Sequence, residues 1–285
     1  MSLETEQKTQ METIRIKKTC GEPKKPKGPR QLTKLQPGTC LSVDDIPLII
    51  KNNCDVFDSE TGNLLARFRK NILSKTNIDL FYKNVFPFAK TKTNFRWKTS
   101  QKQSVMSNIF GYYDRFNPHD YKQFRRTKTK PTLRVRECSF NKNNPVKYEN
   151  LLRLIKEVDA AFCKFVPESY EKQKQEAEKS CNHIPETCFT TFTTNVNFQT
   201  CCHIDKNDFK DGFGNLIVLE RGMYEGGEIC FPEYKIGFDV REGSVLFMDV
   251  HQLHGNLPIV LKSKDAIRLS VVCYLRPNVI HPKNC

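Results

Sequence analysis

The chain has 285 residues, 38% of them hydrophobic, enough for one large domain or two small ones and too many for a wholly disordered protein. Lys and Arg number 46 against 32 Asp and Glu, a net charge of +14. No apolar run has the length of a bilayer span or the form of a secretory signal, which argues against a membrane partner and for a soluble, intracellular protein. Twelve cysteines scattered irregularly through a chain of this size are expected to be reduced thiols.

Residues 1–39 carry few aliphatics and the run KKPKGPR, and read as a flexible basic tail. The run fits a nuclear-localisation patch if the cell is eukaryotic. In residues 40–144, short apolar groups (IPLII, LLARF, NVFPF) alternate with turn and basic residues, predicting mixed structure. Between Leu65 and Arg136 there are 18 Lys and Arg against 3 Asp and Glu, interleaved with aromatics in TNFRWKTS, FGYYDRF and YKQFRRTKTK. Bases displace counterions from phosphates and aromatic faces stack on nucleobases, so this region suits a nucleic-acid partner; a solvated basic face is the plainer alternative.

Residues 145–188 read as helical support. Tyr148, Leu151, Leu152, Ile155, Val158 and Phe162 recur at spacings of three and four, and Pro167 separates a second, more polar helix. From 189 to 278 the period becomes strand-like, with CFTTFTTNVNF, GNLIVLE, GEICFPEY, IGFDV, SVLFMDV and IRLSVVCYL divided by turn residues. Many short strands without intervening helices predict an antiparallel sandwich or jelly roll, hence an α+β protein; 279–285 is a short tail.

In TCCHIDKND, His203 and Asp205 stand two apart, the spacing that projects two side chains to one face of a strand. MDVHQLHGN offers His251 and His254 as a third ligand. Two His and one carboxylate on one face, leaving other positions open, form the site non-haem Fe(II) uses. Farther on, Arg268 interrupts the apolar strand IRLSVV, with Ser270 on its face. A buried Arg needs a partner, either a protein carboxylate or the distal carboxylate of a small dicarboxylic acid such as 2-oxoglutarate.

The segments TTNVNFQTCCHIDKND, GFGNLIVL, YEGGEICFPEY, IGFDVREGSVLFMDVHQLHGNLPI and RLSVVCYLR, with the helical lead-in before them, resemble the TET/JBP family of Fe(II)- and 2-oxoglutarate-dependent dioxygenases. The resemblance implies a double-stranded β-helix (jelly-roll) core and hydroxylation of a pyrimidine 5-methyl group in DNA. Thymine or 5-methylcytosine would be the base, O2 and 2-oxoglutarate are consumed, succinate and CO2 are released, and ascorbate supports the metal. It further implies Fe(II) ligands at His203, Asp205 and His254, leaving His251 a supporting or surface role. Arg268 would hold the 2-oxoglutarate 5-carboxylate, with Ser270 beside it. Tyr274 matches a tyrosine that stacks on the flipped base. Asp208 and Arg276 stand where TET-like members carry Asn and His. Asp accepts and Arg donates, which suits the N3–H and O4 of thymine and also suits cytosine in a shifted pose. The run HIDKND is closer to the thymine-oxidising JBP branch.

Gly226 and Gly227 fit a tight turn without a chemical role. Cys181, His183 and Cys188, joined by Cys201 or Cys202, form a candidate zinc set against the alternative of free thiols. The same chemistry on RNA or on a protein side chain, and an inactive nucleic-acid-binding module, are the competing readings.

Overall fold

The computed structural model describes residues 12–19, 37–91, 94–95, 104–116, 126–127 and 133–281. The first half supplies β1 (Glu12–Ile16), β2 (Leu48–Ile50), β3 (Cys54–Asp58), β4 (Leu64–Arg69), helix α1 (Lys75–Ala89), β5 (Asn94–Phe95), β6 (Ser104–Val105), β7 (Ser107–Phe116) and β8 (Leu133–Glu137). Helices α2 (Ser139–Asn143), α3 (Pro145–Phe165) and α4 (Pro167–Ala177) follow. Then come β9 (Thr191–Val196), β10 (Gly214–Arg221), β11 (Tyr224–Gly226), β12 (Ile229–Phe231), β13 (Ile236–Phe238), β14 (Val245–Met248), β15 (Gly255–Asn256), β16 (Ile259–Leu261), β17 (Ile267–Tyr274) and α5 (Pro277–Ile280).

Nine strands form one sheet in the order β1-β3-β4-β14-β10-β17-β9-β7-β8, antiparallel except for the β1–β3 pair. A second sheet, β15-β12-β13-β2, faces part of it. Apolar residues of the two inner faces meet in one core, among them Phe68, Leu216, Val218 and Leu246 from the large sheet and Phe231, Ile236 and Phe238 from the small one. Two facing, mainly antiparallel sheets with helices stacked on the outside make the jelly-roll α+β architecture that the strand pattern predicts.

The outer face of the large sheet is covered by α1 and α3. The expected helical spacing holds: Leu151, Ile155, Val158 and Phe162 are fully buried and pack with Phe81, Phe192, Leu269 and Val271. Pro145 and Pro167 each occupy the first turn of a helix, where a missing N–H costs nothing, so the chain breaks between α3 and α4 at the second proline.

Two features depart from the sequence reading. Within the expected tail, Glu12–Ile16 adds to the sheet edge beside β3, with Ile14 and Ile16 packed on the inter-sheet core. Residues 1–11 and 20–36, including KKPKGPR, lie outside the described residues. Cys40 and Cys201, expected as thiols, form a disulfide. The backbone brings them together: Gly38 N–H donates to the Cys202 carbonyl and Cys202 N–H to the Thr39 carbonyl, both at 2.7 Å.

Candidate metal centre and its cavity

The strand pattern decides which side chains reach the interior. Along β17, Leu269, Val271 and Cys273 point into the helix-covered core, while Arg268, Ser270, Val272 and Tyr274 line a cavity of about 660 Å³ on the inner side. Thr193 and Asn195 of β9, Leu216 of β10 and Met248 of β14 complete that wall.

His203, Asp205 and His254 stand at the same cavity, with one ligand atom from each within 4.8 Å of the others. His203 and His254 pair as an isolated antiparallel bridge: each backbone N–H donates to the other's carbonyl, at 2.8 and 3.0 Å. Asp205 is not in a strand; it enters a turn, and its N–H donates to the Val250 carbonyl at 3.0 Å. The expected convergence is therefore produced by a bridge followed by a turn, rather than by a two-residue strand period.

Backbone carbonyls orient both imidazoles. Nδ1 of His203 lies 3.0 Å from the Cys201 carbonyl and Nδ1 of His254 lies 2.9 Å from the Gln252 carbonyl. A carbonyl only accepts, so each Nδ1 carries the proton and each Nε2 keeps its lone pair. Both Nε2 atoms turn toward Asp205, 3.6 Å from its Oδ1 and Oδ2 respectively, longer than a normal hydrogen bond. Two imidazole nitrogens and one carboxylate are the donor set that fits Fe(II).

Arg268 is buried at 3% exposure, and burial lowers its pKa below the usual arginine value. Its Nη2 donates to the Gly227 carbonyl at 2.7 Å, and none of the ion pairs among the described residues involves it. Glu220 and Glu228 act on this buried cation electrostatically without forming an ion pair with it. Gly227 has more than the plain turn role assigned from sequence. Its φ is +79°, and a Cβ there would lie 2.6 Å from the Arg268 Nε, so the absence of a side chain makes room for the guanidinium.

At the other end of the cavity, Tyr274 donates to or accepts from Thr193 through its hydroxyl at 2.9 Å. Arg276 lines the cavity and also pairs with Asp114 of β7 at 2.8 Å, a partner the sequence did not indicate. Asp208 lines the same wall, and its carboxyl is pushed up first by burial, then by nearby Asp205, with Arg276 and His251 opposing. His251 is not at the cluster; its Nδ1 faces Asp249 and its Nε2 faces the Asp208 carbonyl.

The candidate zinc set does not assemble among the described residues. His183 Nδ1 faces the Ser180 carbonyl, Cys188 is buried and receives a contact from Gln173, and Cys181 is exposed. Part of the basic segment is likewise internal, since Arg67 and Arg69 both pair with Asp55 at 2.7 Å. Arg115, Arg134 and Arg136 are exposed on the β7–β8 hairpin, whereas most of TNFRWKTS and YKQFRRTKTK lies outside the described residues.

The Tet_JBP model, described as the oxygenase domain of the 2OGFeDO superfamily, matches residues 109–277. The chain belongs to the Tet_JBP family. Its similar proteins include the bifunctional helicase and thymine dioxygenase JBP2 of Leishmania braziliensis, 32% identical over 197 residues, which cover 69% of this chain and 17% of that protein. Thymine dioxygenase JBP1 of Trypanosoma brucei brucei is 29% identical over 195 residues, covering 68% of this chain and 22% of JBP1. The chain thus spans less than a quarter of these Tet_JBP relatives. Among solved structures, NgTET1 in complex with 5mC DNA shares the fold, with a TM-score of 0.55, 10% identity, and coverage of 82% of this chain and 84% of NgTET1. Among the described residues, no helix is long and apolar enough to cross a membrane.

Proposed function

We propose that this Tet_JBP chain is an Fe(II)- and 2-oxoglutarate-dependent dioxygenase that hydroxylates the 5-methyl group of a pyrimidine in DNA. The observation that carries the reading is the placement of the His203, Asp205 and His254 donors and an unpaired-by-carboxylate Arg268 in one cavity. The overall conversion takes O2, 2-oxoglutarate and the methyl group to succinate, CO2 and a hydroxymethyl group.

His203, Asp205 and His254 would hold Fe(II), which supplies the activation of O2 for C–H hydroxylation when bound with 2-oxoglutarate. Arg268 neutralises and orients the distal carboxylate of the co-substrate, helped by the Ser270 hydroxyl on the same face. Leu216, Ile229, Met248 and Val272 line the cavity with apolar surface, limiting water near the reacting methyl group. A base in a duplex cannot enter, so the target is flipped or single-stranded. Tyr274, its hydroxyl tethered to Thr193, offers a ring for stacking, and Asp208 and Arg276 offer polar groups to the base edge. The exposed Arg115, Arg134 and Arg136 of the β7–β8 hairpin would meet backbone phosphates, and Ile109 of the same β7 lines the cavity.

Thymine is the base we place there first, because the JBP relatives are named thymine dioxygenases and Asp208 with Arg276 complements its N3–H and O4. The 5mC DNA of the NgTET1 complex supplies the second substrate arm of the test. DNA as target, together with the basic run in the N-terminal segment, favours a nuclear location in a eukaryotic cell. The experiment is mass spectrometry of nucleosides from thymine-rich and 5-methylcytosine-containing DNA after incubation with the chain, Fe(II), 2-oxoglutarate and ascorbate as reductant. A 5-hydroxymethyl product that is absent with Asp205→Ala is expected; succinate without a modified base would move the substrate to RNA or protein, and no turnover would overturn the enzyme reading.

A further inference from the structure

The two turns that carry the metal-binding residues are joined by backbone bonds at His203, His254 and Asp205, by Asn256, whose Oδ1 accepts the Thr200 N–H at 2.7 Å, and, on the side of Asp208, by the ring of His251. Its Nδ1 lies 3.2 Å from Asp249 Oδ1, which also accepts the His251 backbone N–H at 2.9 Å. Its Nε2 lies 3.3 Å from the carbonyl of Asp208 on the opposite turn. Both ring nitrogens face acceptors, and a neutral imidazole has only one N–H, so the doubly protonated ring is the form that satisfies both.

The surroundings favour that form. Burial pushes the Asp249 carboxyl up, but hydrogen bonds from His251 and Gln252 outweigh it and hold the group below the usual carboxylate range. The Asp249 hydrogen bond in turn raises the His251 pKa, with burial opposing. Backbone hydrogen bonds hold the turn on either side of the Asp208 side chain. The Asp208 N–H donates to the Asp205 carbonyl at 3.2 Å and the next residue's N–H to Leu275 at 2.9 Å, while the preceding Lys206 and Asn207 are exposed.

We propose that His251 is a positioning residue for base recognition, clamping the turn that carries Asp208 against the turn that carries His254. This rests on the reading of the cavity as a base pocket. The ring lies outside the cavity lining; it acts by fixing the backbone from which the Asp208 carboxyl enters the cavity. Asp249 is the anchor at one end, and the Asp208 carbonyl is the point held at the other.

The test compares wild type, His251→Gln, which restores one donor, and His251→Ala, which restores none. Steady-state KM and kcat are measured with the preferred oligonucleotide, and Co(II) affinity and absorption serve as the control on the metal centre. We expect His251→Ala to raise the oligonucleotide KM roughly tenfold, the worth of one hydrogen bond from a charged donor, with His251→Gln in between. Co(II) affinity and spectrum stay at the wild-type values. An unchanged KM in His251→Ala overturns the inference, as does a loss of Co(II) affinity parallel to the rise in KM, which would make His251 a support of the metal centre. A wild-type chain that oxidises no oligonucleotide overturns the proposed function, and the inference with it; oxidation by wild type with no difference among the variants overturns the inference alone.

Discussion

The two faces of β17 do different work within eight residues. Leu269, Val271 and Cys273 are fully buried against the helix-covered core, while Arg268, Ser270, Val272 and Tyr274 face the cavity. The outer face is filled with hydrocarbon that stabilises the fold, and the inner one carries a buried cation, a buried hydroxyl at Ser270 and the part-exposed Val272 and Tyr274 on a cavity wall. Adjacent positions are therefore expected to fail in different ways: one loses the protein, the next loses its chemistry.

The sharpest contrast comes from the cavity side. Asp205→Ala is expected to cost turnover more than the roughly 100-fold seen when a supporting partner of a metal ligand is lost, with an unchanged urea melt. On the opposite side, Leu269→Ala is expected to cost about 2–5 kcal/mol of stability in the same melt while leaving the 2-oxoglutarate KM of the folded fraction unchanged. A raised KM there would break the comparison. Arg268→Lys exchanges a planar fork for a point charge and is expected to raise the 2-oxoglutarate KM roughly 10- to 100-fold. Gly227→Ala acts in the same direction, because its Cβ would meet the Arg268 side chain. Ser270→Ala is the mildest, a KM change of about fivefold with no loss of stability, read in the same succinate assay.

The parts legible in sequence were those governed by local period or by residue type. The spacing of Leu151, Ile155, Val158 and Phe162 marked α3, and alternation along IRLSVVCY placed Arg268, Ser270 and Tyr274 together. His203, Asp205 and His254 were picked out by ligand chemistry and by likeness to a family, and the structure brings them together through a bridge and a turn that no two-residue rule describes. What stayed hidden depends on distant partners. Gly227 reads as a turn glycine until the Arg268 side chain, 41 residues on, is laid against it. Asp114 is one acid among bases until Arg276 is opposite, and Glu12–Ile16 is too short and too charged to announce a strand. In the basic segment, charge counts do not show pairing: Arg67 and Arg69 belong to Asp55.

The link between Cys40 and Cys201 joins residues 161 positions apart in sequence. It turns that stretch into a closed ring, with the strands and helices between them threaded on one covalent loop. A protease that nicks the chain once anywhere inside the ring would open the loop without dividing the molecule. The two pieces would migrate as one band on a non-reducing gel and part on a reducing one, and the segment ahead of His203 would stay fastened to the body after the cut.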